Sequence, residues 1–476
     1  MTTVAPFLRS DVLSVEAVLP GKAYGVYQPV LLVNLTKPKR EEGTWNAIDS
    51  LLVECLGLAP DAKLPESGAY HVDYAHRLLH YAAAIQQKAG LPVFVRGSIL
   101  GSGDAPSGDI ITTLAAPYAP SRHLAAGAAL QWAETTLDRL TLAGALEARD
   151  KLRVTVAQSI EDTVTSLRNF ALPGSNSLRF LQAAHVLRIP WDLVAGDCFQ
   201  FGFGARSRWM ESSFTDRTST LGARIARSKT LAAATLARAG LPVPPHALVH
   251  SPEQAEMVAE KLGYPVVVKP SDLDGGIGVA AGLGSASAVR KAFAEARTHS
   301  QSILVEKHVA GRDYRLLVGN GRLLWSILRQ PGGVTGDGKT TVSELVRLHN
   351  ADPNRGTAVN SPLKILELDE EALDLLAESD LNLESIPEAG RFICLRRRAN
   401  IVSGGTPIAV NQSVHPDNRR LAERAAAALR LDFAGIDLII PDIARSWQET
   451  GAAICDINGQ PSFGITTQSH LYGEIL

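Results

Sequence analysis

Lys269 closes the apolar run Val266-Val267-Val268, and three glycines, Gly275, Gly276 and Gly278, follow within ten residues. An ammonium at the end of a buried-looking strand is costly to desolvate unless something meets it there, so the pattern points to an anion. Glycines let backbone N–H groups approach phosphate oxygens with no Cβ in the way. Alone, the glycine run is equally that of a flexible turn. Lys229 opens the helix-like segment SKTLAAATLARAG and offers a second cation. Further along, Glu306 ends the strand-like ILVEKHV, and Asp313 lies seven residues on. A carboxylate at that distance can accept both hydroxyls of a ribose while the backbone from Lys307 to Val309 pairs with a purine. Without context the same residues read as an exposed acidic turn. Near the end, Asp437 sits in the apolar FAGIDLII, and Asp456 and Asn458 stand two apart in ICDIN, on one face of a strand. Magnesium takes oxygen ligands, commonly one or two carboxylates completed by phosphates. Each signal is weak, but the order of the set is that of a nucleoside triphosphate site with magnesium.

The elements that must position these residues fall into two stretches. Residues 1 to about 170 mix a strand-like run, Val26 to Leu35, with Ala-rich helical runs from Tyr74 to Ala89 and from Leu124 to Arg149. Leu172-Pro173-Gly174-Ser175-Asn176 reads as a boundary. It predicts a first domain over 1–172 and a second over 173–476. In the second, a helix from Leu178 to Leu187 and another through Leu231 to Ala239 precede the β-branched strands Tyr264 to Pro270 and Ile303 to Val309. Strands alternating with helices predict an α/β architecture. The chain of 476 residues carries 45% hydrophobic and 20% charged residues and a net charge of -2, which favours neither a nucleic-acid nor a membrane partner. No apolar run reaches the roughly 18 residues of a span. Arg9 and Asp11 interrupt the start, so no signal-peptide core is expected. Four scattered cysteines, Cys55, Cys198, Cys394 and Cys455, fit a reducing cytoplasm.

With these motifs in place, the chain resembles the ATP-grasp superfamily, and within it the front part of the cyanophycin synthetase family. Besides the lysine segments, the resemblance rests on Ile189-Pro190-Trp191, Phe201-Gly202-Phe203-Gly204, GRDYRLLV, VTGDGKTTVSEL, NADPNRG, ANIVSGG, VHPDN and AGIDLIIPDI. It implies two α/β lobes clamping ATP, with a lid over roughly 328–396, preceded by an α+β N-terminal domain. It also implies a ligase that joins a carboxylate to an amine through an acyl-phosphate, with ATP and Mg2+. Carried over, Lys229 and Lys269 contact phosphates under the loop to Gly278, Glu306 stands at the adenine hinge and Asp313 at the ribose. Arg315, Arg396 and Asn400 face the γ-phosphate and acyl-phosphate oxygens, and Asp437, Asp456 and Asn458 hold the metal. Small amino-acid or peptide substrates and an assembly of identical chains are expected.

The departures lie on the substrate side. The family's loop histidine and arginine are Gly275 and Ile277, its acidic residue before the first lysine is Arg224, and its late arginine is Gly464. Ala84 stands for a helical glutamate, and Asp456 for the metal glutamate. Because the chain ends at Leu476, soon after the metal segment, no Mur-ligase-like module is expected. A rewritten substrate half predicts the same reaction on another substrate. The alternatives are a template-elongating polymer ligase working with a partner, and a nucleotide-binding scaffold without chemistry. His76 and His80 share a helix face without a third ligand and read as packing. If Arg396, Arg397 and Arg398 lie on a strand they alternate faces, leaving Arg398 a role toward a substrate carboxylate.

Overall fold

The computed structural model describes residues 12–40, 45–59, 64–143, 149–273, 276–356, 363–397, 399, 404–463 and 470–476. The chain divides into two compact units, Met1–Ser212 together with Leu476, and Ser213–Ile475. The punctuated segment at 172–176 falls inside the first unit, where it leads into the helix Asn176–Val186.

In the first unit, strands Leu13–Ala23, Val26–Lys37, Ile110–Pro117 and Ser98–Asp104 form an antiparallel sheet in that spatial order. Helices Asn46–Leu56, Tyr70–Lys88, His123–Ala143 and Arg149–Leu167 bury one core with it, through Leu31, Val33, Leu35, Tyr74, Leu78, Leu114, Leu130 and Ile160. The Tyr70–Lys88 helix is buried on almost every side, so its polar residues need internal partners.

The second unit holds two antiparallel sheets. The first runs Ala280–Leu283, Val266–Pro270, Ile303–Lys307 and His246–Val249. Two helices cover one face of it, Pro252–Leu262 and Ala286–His299. Serines 251 and 285 start these helices by accepting a bond from the third residue on, and Pro252 sits in the first turn, where its missing N–H costs nothing. Alternation along Val266–Pro270 does the rest. Val266 and Val268 are fully buried against the helices, each contributing roughly 1.5–3 kcal/mol. Val267 and Lys269 therefore face the opposite side. The other sheet runs Thr406–Ala409, Arg322–Gln330, Arg312–Gly319, Phe433–Ile440 and Ala453–Asn458. The core behind it takes Tyr314, Leu316, Leu328, Ile436, Leu438, Ile454 and Ile457.

Between Arg322–Gln330 and Thr406–Ala409 the chain makes a small insert with its own core of Val334, Val342, Val346, Leu366, Leu376 and Ile393. It is built on the pairing of Gly333–Thr335 with Phe392–Cys394 and on helices Val342–Asn350 and Glu370–Glu378. That strand ends at Cys394, so Arg396 and Arg397 follow it and the strand alternation read from the sequence does not apply to them. No helix among the described residues is long and apolar enough to cross a membrane.

Candidate active site

Lys269 and Glu306 meet across neighbouring strands. Glu306 pairs with Val267, and Lys269 lies two residues further on the same face, so the two side chains reach each other diagonally, Nζ to Oε1 at 2.7 Å. Both are buried. Burial alone would lower the lysine, but the Glu306 carboxylate outweighs it and holds the ammonium above its usual range. Cys455 and Asp456 of the other sheet add to that effect, so the two sheets bring their polar faces together here.

The facing sheet presents a row of charge in register. Arg315, Asp437 and Asp456 are cross-strand partners on three consecutive strands. Arg315 Nη2 donates to Asp437 Oδ2 at 3.2 Å, while its Nε stands 2.5 Å from Oδ1 outside hydrogen-bond alignment. Those two atoms, Arg315 Nε and Asp437 Oδ1, are buried and lack a hydrogen bond. Arg329 reaches Asp437 Oδ2 at 2.7 Å and donates to Asp313 Oδ1 through Nε and Nη2 at 3.2 and 3.0 Å. Burial pushes the carboxyls of both Asp313 and Asp456 above the usual range. Gly435 makes room for this row, since a Cβ there would collide with Arg315 Nη1.

Lys229 ties the two sides together. It is the first residue of a helix whose Ser228 cap accepts from Leu231 N, and its Nζ donates to Leu273 O at 2.8 Å and lies 3.8 Å from Asp456 Oδ2. Beyond Leu273, Gly276 and Gly278 adopt positive φ, and a side chain at Gly278 would press on Pro270 and His299 at 3.1–3.2 Å. At the hinge, Lys307 Nζ donates to Gly263 O and Tyr264 O, and the amides of Lys307 and His308 donate to Pro245 O and Pro265 O.

A register shift between Asp437 and Leu438 pairs Leu438 with Ile454, leaving Cys455 without a partner of its own. The bulge sets Cys455 and Asp456 side by side toward the cleft while Ile454 and Ile457 keep to the core. Burial first, then Glu306, pushes the Cys455 thiol far up, so it stays protonated and is no nucleophile at neutral pH.

Of the residues singled out from sequence, Lys229, Lys269, Glu306, Asp313, Arg315, Asp437 and Asp456 converge on this cleft. Asn458 stands on the same strand, opposite Gly435. Arg396 is held elsewhere. It is buried in the insert, donating to Asp369, Leu395 O and Glu367 O at 2.8–3.1 Å, so its expected place at the γ-phosphate gives way to a structural tie. The cause is local: Asp369 caps the helix after it through Ala372 N and has lone pairs left for a guanidinium. Gly275, Arg398, Asn400 and Gly464 lie outside the described residues. Sequence reading missed Arg329, since an arginine at a strand end looks like a solvated edge; its alternation with Trp325 and Ile327 was the available signal.

The donor set suits magnesium. Among the described residues no group of three or more His, Cys, Asp or Glu is arranged to hold a metal; Asp437 and Asp456 pair across neighbouring strands, and carboxylate oxygens are donors of the type magnesium takes together with phosphates. Asp437 Oδ1 makes no hydrogen bond but stands 2.5 Å from Arg315 Nε, so a cation at this oxygen would compete with that guanidinium.

Residues 235–327 match the family described as D-ala D-ala ligase C-terminus. With the two facing sheets this defines the class: the second unit carries an ATP-grasp domain. More particularly, the chain is homologous to cyanophycin synthetase of Nostoc sp. strain PCC 7120, 35% identical over 308 residues, or 64% of this chain and 34% of that one. The chain thus spans about a third of that relative's length. It is also 36% identical over 201 residues to the glutathione biosynthesis bifunctional protein GshAB of Streptococcus agalactiae, covering 41% of this chain and 27% of the relative. A bifunctional glutathione synthetase structure from Pasteurella multocida aligns with 24% identity and a TM-score of 0.47, over 70% of this chain and 48% of that one.

Proposed function

We propose that this chain is an ATP-dependent carboxylate–amine ligase that forms an amide bond through an acyl-phosphate. The observation that carries the reading is the convergence of Lys229, from its helix, and Lys269, from one sheet, on Asp437 and Asp456 of the other sheet. In this reading the nucleotide lies between the sheets. Lys307 and His308 amides are already engaged, so a purine would meet the carbonyl of Lys307 and the amide of Val309. Asp313 accepts the ribose hydroxyls. Lys229, Lys269 and the backbone at Gly276 and Gly278 hold the phosphates, where positioned donors stabilise charge that develops during transfer. Asp437, Asp456 and Asn458 hold Mg2+, which when bound neutralises phosphate charge. Arg315 faces the acyl-phosphate oxygens. The insert around Gly336 to Lys339 closes over the site and excludes water, which would otherwise hydrolyse the acyl-phosphate.

Amino acids or a short peptide are the proposed substrates. The free thiols of Cys55, Cys198, Cys394 and Cys455 suit a cytoplasmic setting. The test is phosphate release screened against pooled amino acids and dipeptides, and separately against a cyanophycin-like primer with aspartate, with mass spectrometry of the products. ADP formation that needs an added amino acid, with a condensed product, supports the ligase. ATP binding with no ligation in any pool overturns it, and a primer with the highest kcat/KM makes the chain a polymer ligase instead.

A further inference from the structure

Both oxygens of Asp437 face guanidinium groups. Arg315 Nε stands 2.5 Å from Oδ1, and Arg329 Nη2 stands 2.7 Å from Oδ2. Arg329 is also anchored on a second strand, to Asp313 at 3.0 Å. A divalent cation at Asp437 needs at least one of those oxygens. Arginine remains charged at every working pH, so this competition cannot be relieved by losing a proton. The local balance works in the same direction. Asp313 and Asp437 are matched by Arg315 and Arg329, and Asp456 has Lys229 at 3.8 Å. A bare cation therefore meets a site that is close to neutral and whose first carboxylate is taken.

We propose that Arg329 is a gate on the cation site, occupying Asp437 in the free protein and releasing it when a nucleotide engages Asp313. This rests on the proposed roles of Asp437 toward the metal and Asp313 toward the ribose. Ribose hydroxyls that bond Asp313 compete for the lone pairs that anchor Arg329, and the phosphates supply both the charge that draws the cation and a new partner for the guanidinium. Arg329 is thus a positioning residue that makes metal entry depend on nucleotide entry. An ion that binds ahead of the nucleotide would otherwise fill the site without its phosphates.

The experiment is Mn2+ binding to the full chain by electron paramagnetic resonance, with and without β,γ-imido-ATP. Wild type is expected to bind Mn2+ weakly alone and at least a hundredfold more tightly with the analogue. Arg329→Gln should raise affinity for Mn2+ alone about tenfold, and Arg329→Lys, which keeps the charge but not the fork, about threefold. Adding Asp437→Asn to Arg329→Gln should abolish the gain. If neither Arg329 variant raises Mn2+ affinity in the absence of nucleotide, the gate is wrong even where the metal site is right. If Asp437→Asn leaves Mn2+ binding with the analogue unchanged, the metal site itself is misassigned and the gate falls with it. The lysine variant keeps the test readable should the glutamine variant fail to fold.

Discussion

Two arginines in this molecule, Arg77 fully buried and Arg329 half-buried, are held in different ways. Arg77, in the first unit, is fully buried, gives Nε and Nη2 to Asp49 at 2.7–3.1 Å and Nη1 to Asp73 O, and lies 4.5 Å from the Trp45 ring. Tyr81 completes Asp49 at 2.6 Å. Arg329, in the second unit, divides its donors between two carboxylates, beside an Arg315 Nε and an Asp437 Oδ1 that have no hydrogen bond. The first cluster is centred on one bidentate acid, with a backbone carbonyl and Glu66 at 3.8 Å beside it, as a framework requires. In the second, one guanidinium is shared between two carboxylates on different strands.

The sharpest break would come from Arg77→Met. Removing one partner of a buried pair strands Asp49, so stability should fall by about 3–5 kcal/mol, read by urea unfolding. A loss under 1 kcal/mol would erase the contrast with Arg329. In the second unit, Lys269→Ala should lower kcat/KM about a hundred- to a thousandfold, roughly 3–4 kcal/mol. It also strands Glu306, and Lys269→Ala/Glu306→Gln should recover stability without recovering turnover. Recovery of both would make Lys269 a framework residue like Arg77.

His80 sharpens the picture of the first unit. Burial, with Arg96 nearby, pulls its imidazole down to about 4, and its Nε2 has no partner. The folded state therefore prefers the neutral ring. That stability is complete above the free value near 6.5 and is lost as pH falls from there toward 4. The expected loss is at most roughly 3 kcal/mol, and His80→Phe should flatten the stability curve between those pH values. An unchanged slope would mean the ring is solvated. The smallest effect concerns the insert. Thr341 caps Val342–Asn350 through Glu344 N, so Thr341→Ala should cost about 1 kcal/mol, seen as faster hydrogen exchange confined to that helix.

These contrasts bear on how much could be read before the structure. Lys269 was legible because the alternation of Val266 to Val268 dictates which way it points. The helix opened by Lys229 was legible from the run SKTLAAATLARAG. Pairing was not. Arg315 and Asp437 are 122 positions apart and Lys269 and Glu306 37, and no local pattern encodes either meeting. The family-marking turns were visible as marks, but their work was hidden for the same reason. Asp337 in GDGKTT folds back on Lys339 N and on the amide and hydroxyl of Thr340, which, the hydroxyl foremost, hold its carboxyl down to about 2. Arg355 in DPNRG grips Lys364 O, Gly404 O and Thr406. Asn418 in VHPDN clasps Ile443 O, Arg445 O and Trp447 N. Arg355 and Asn418 tie distant segments together, whereas Asp337 closes its own turn. Arg396 was given the γ-phosphate by the family resemblance, and its tie to Asp369, 27 positions away, has no local signature either.

Gly435 carries a different kind of instruction. Its neighbour across the strand is Leu317, yet the atom its Cβ would strike belongs to the Arg315 guanidinium. The charge on this face is thus kept in place by empty volume, at a position with no functional group at all. A single methyl added there changes neither net charge nor any hydrogen-bonding group, yet it would collide with Arg315 Nη1, so the guanidinium would have to shift. The arrangement of charge on this face therefore depends in part on a residue that chemistry alone would pass over.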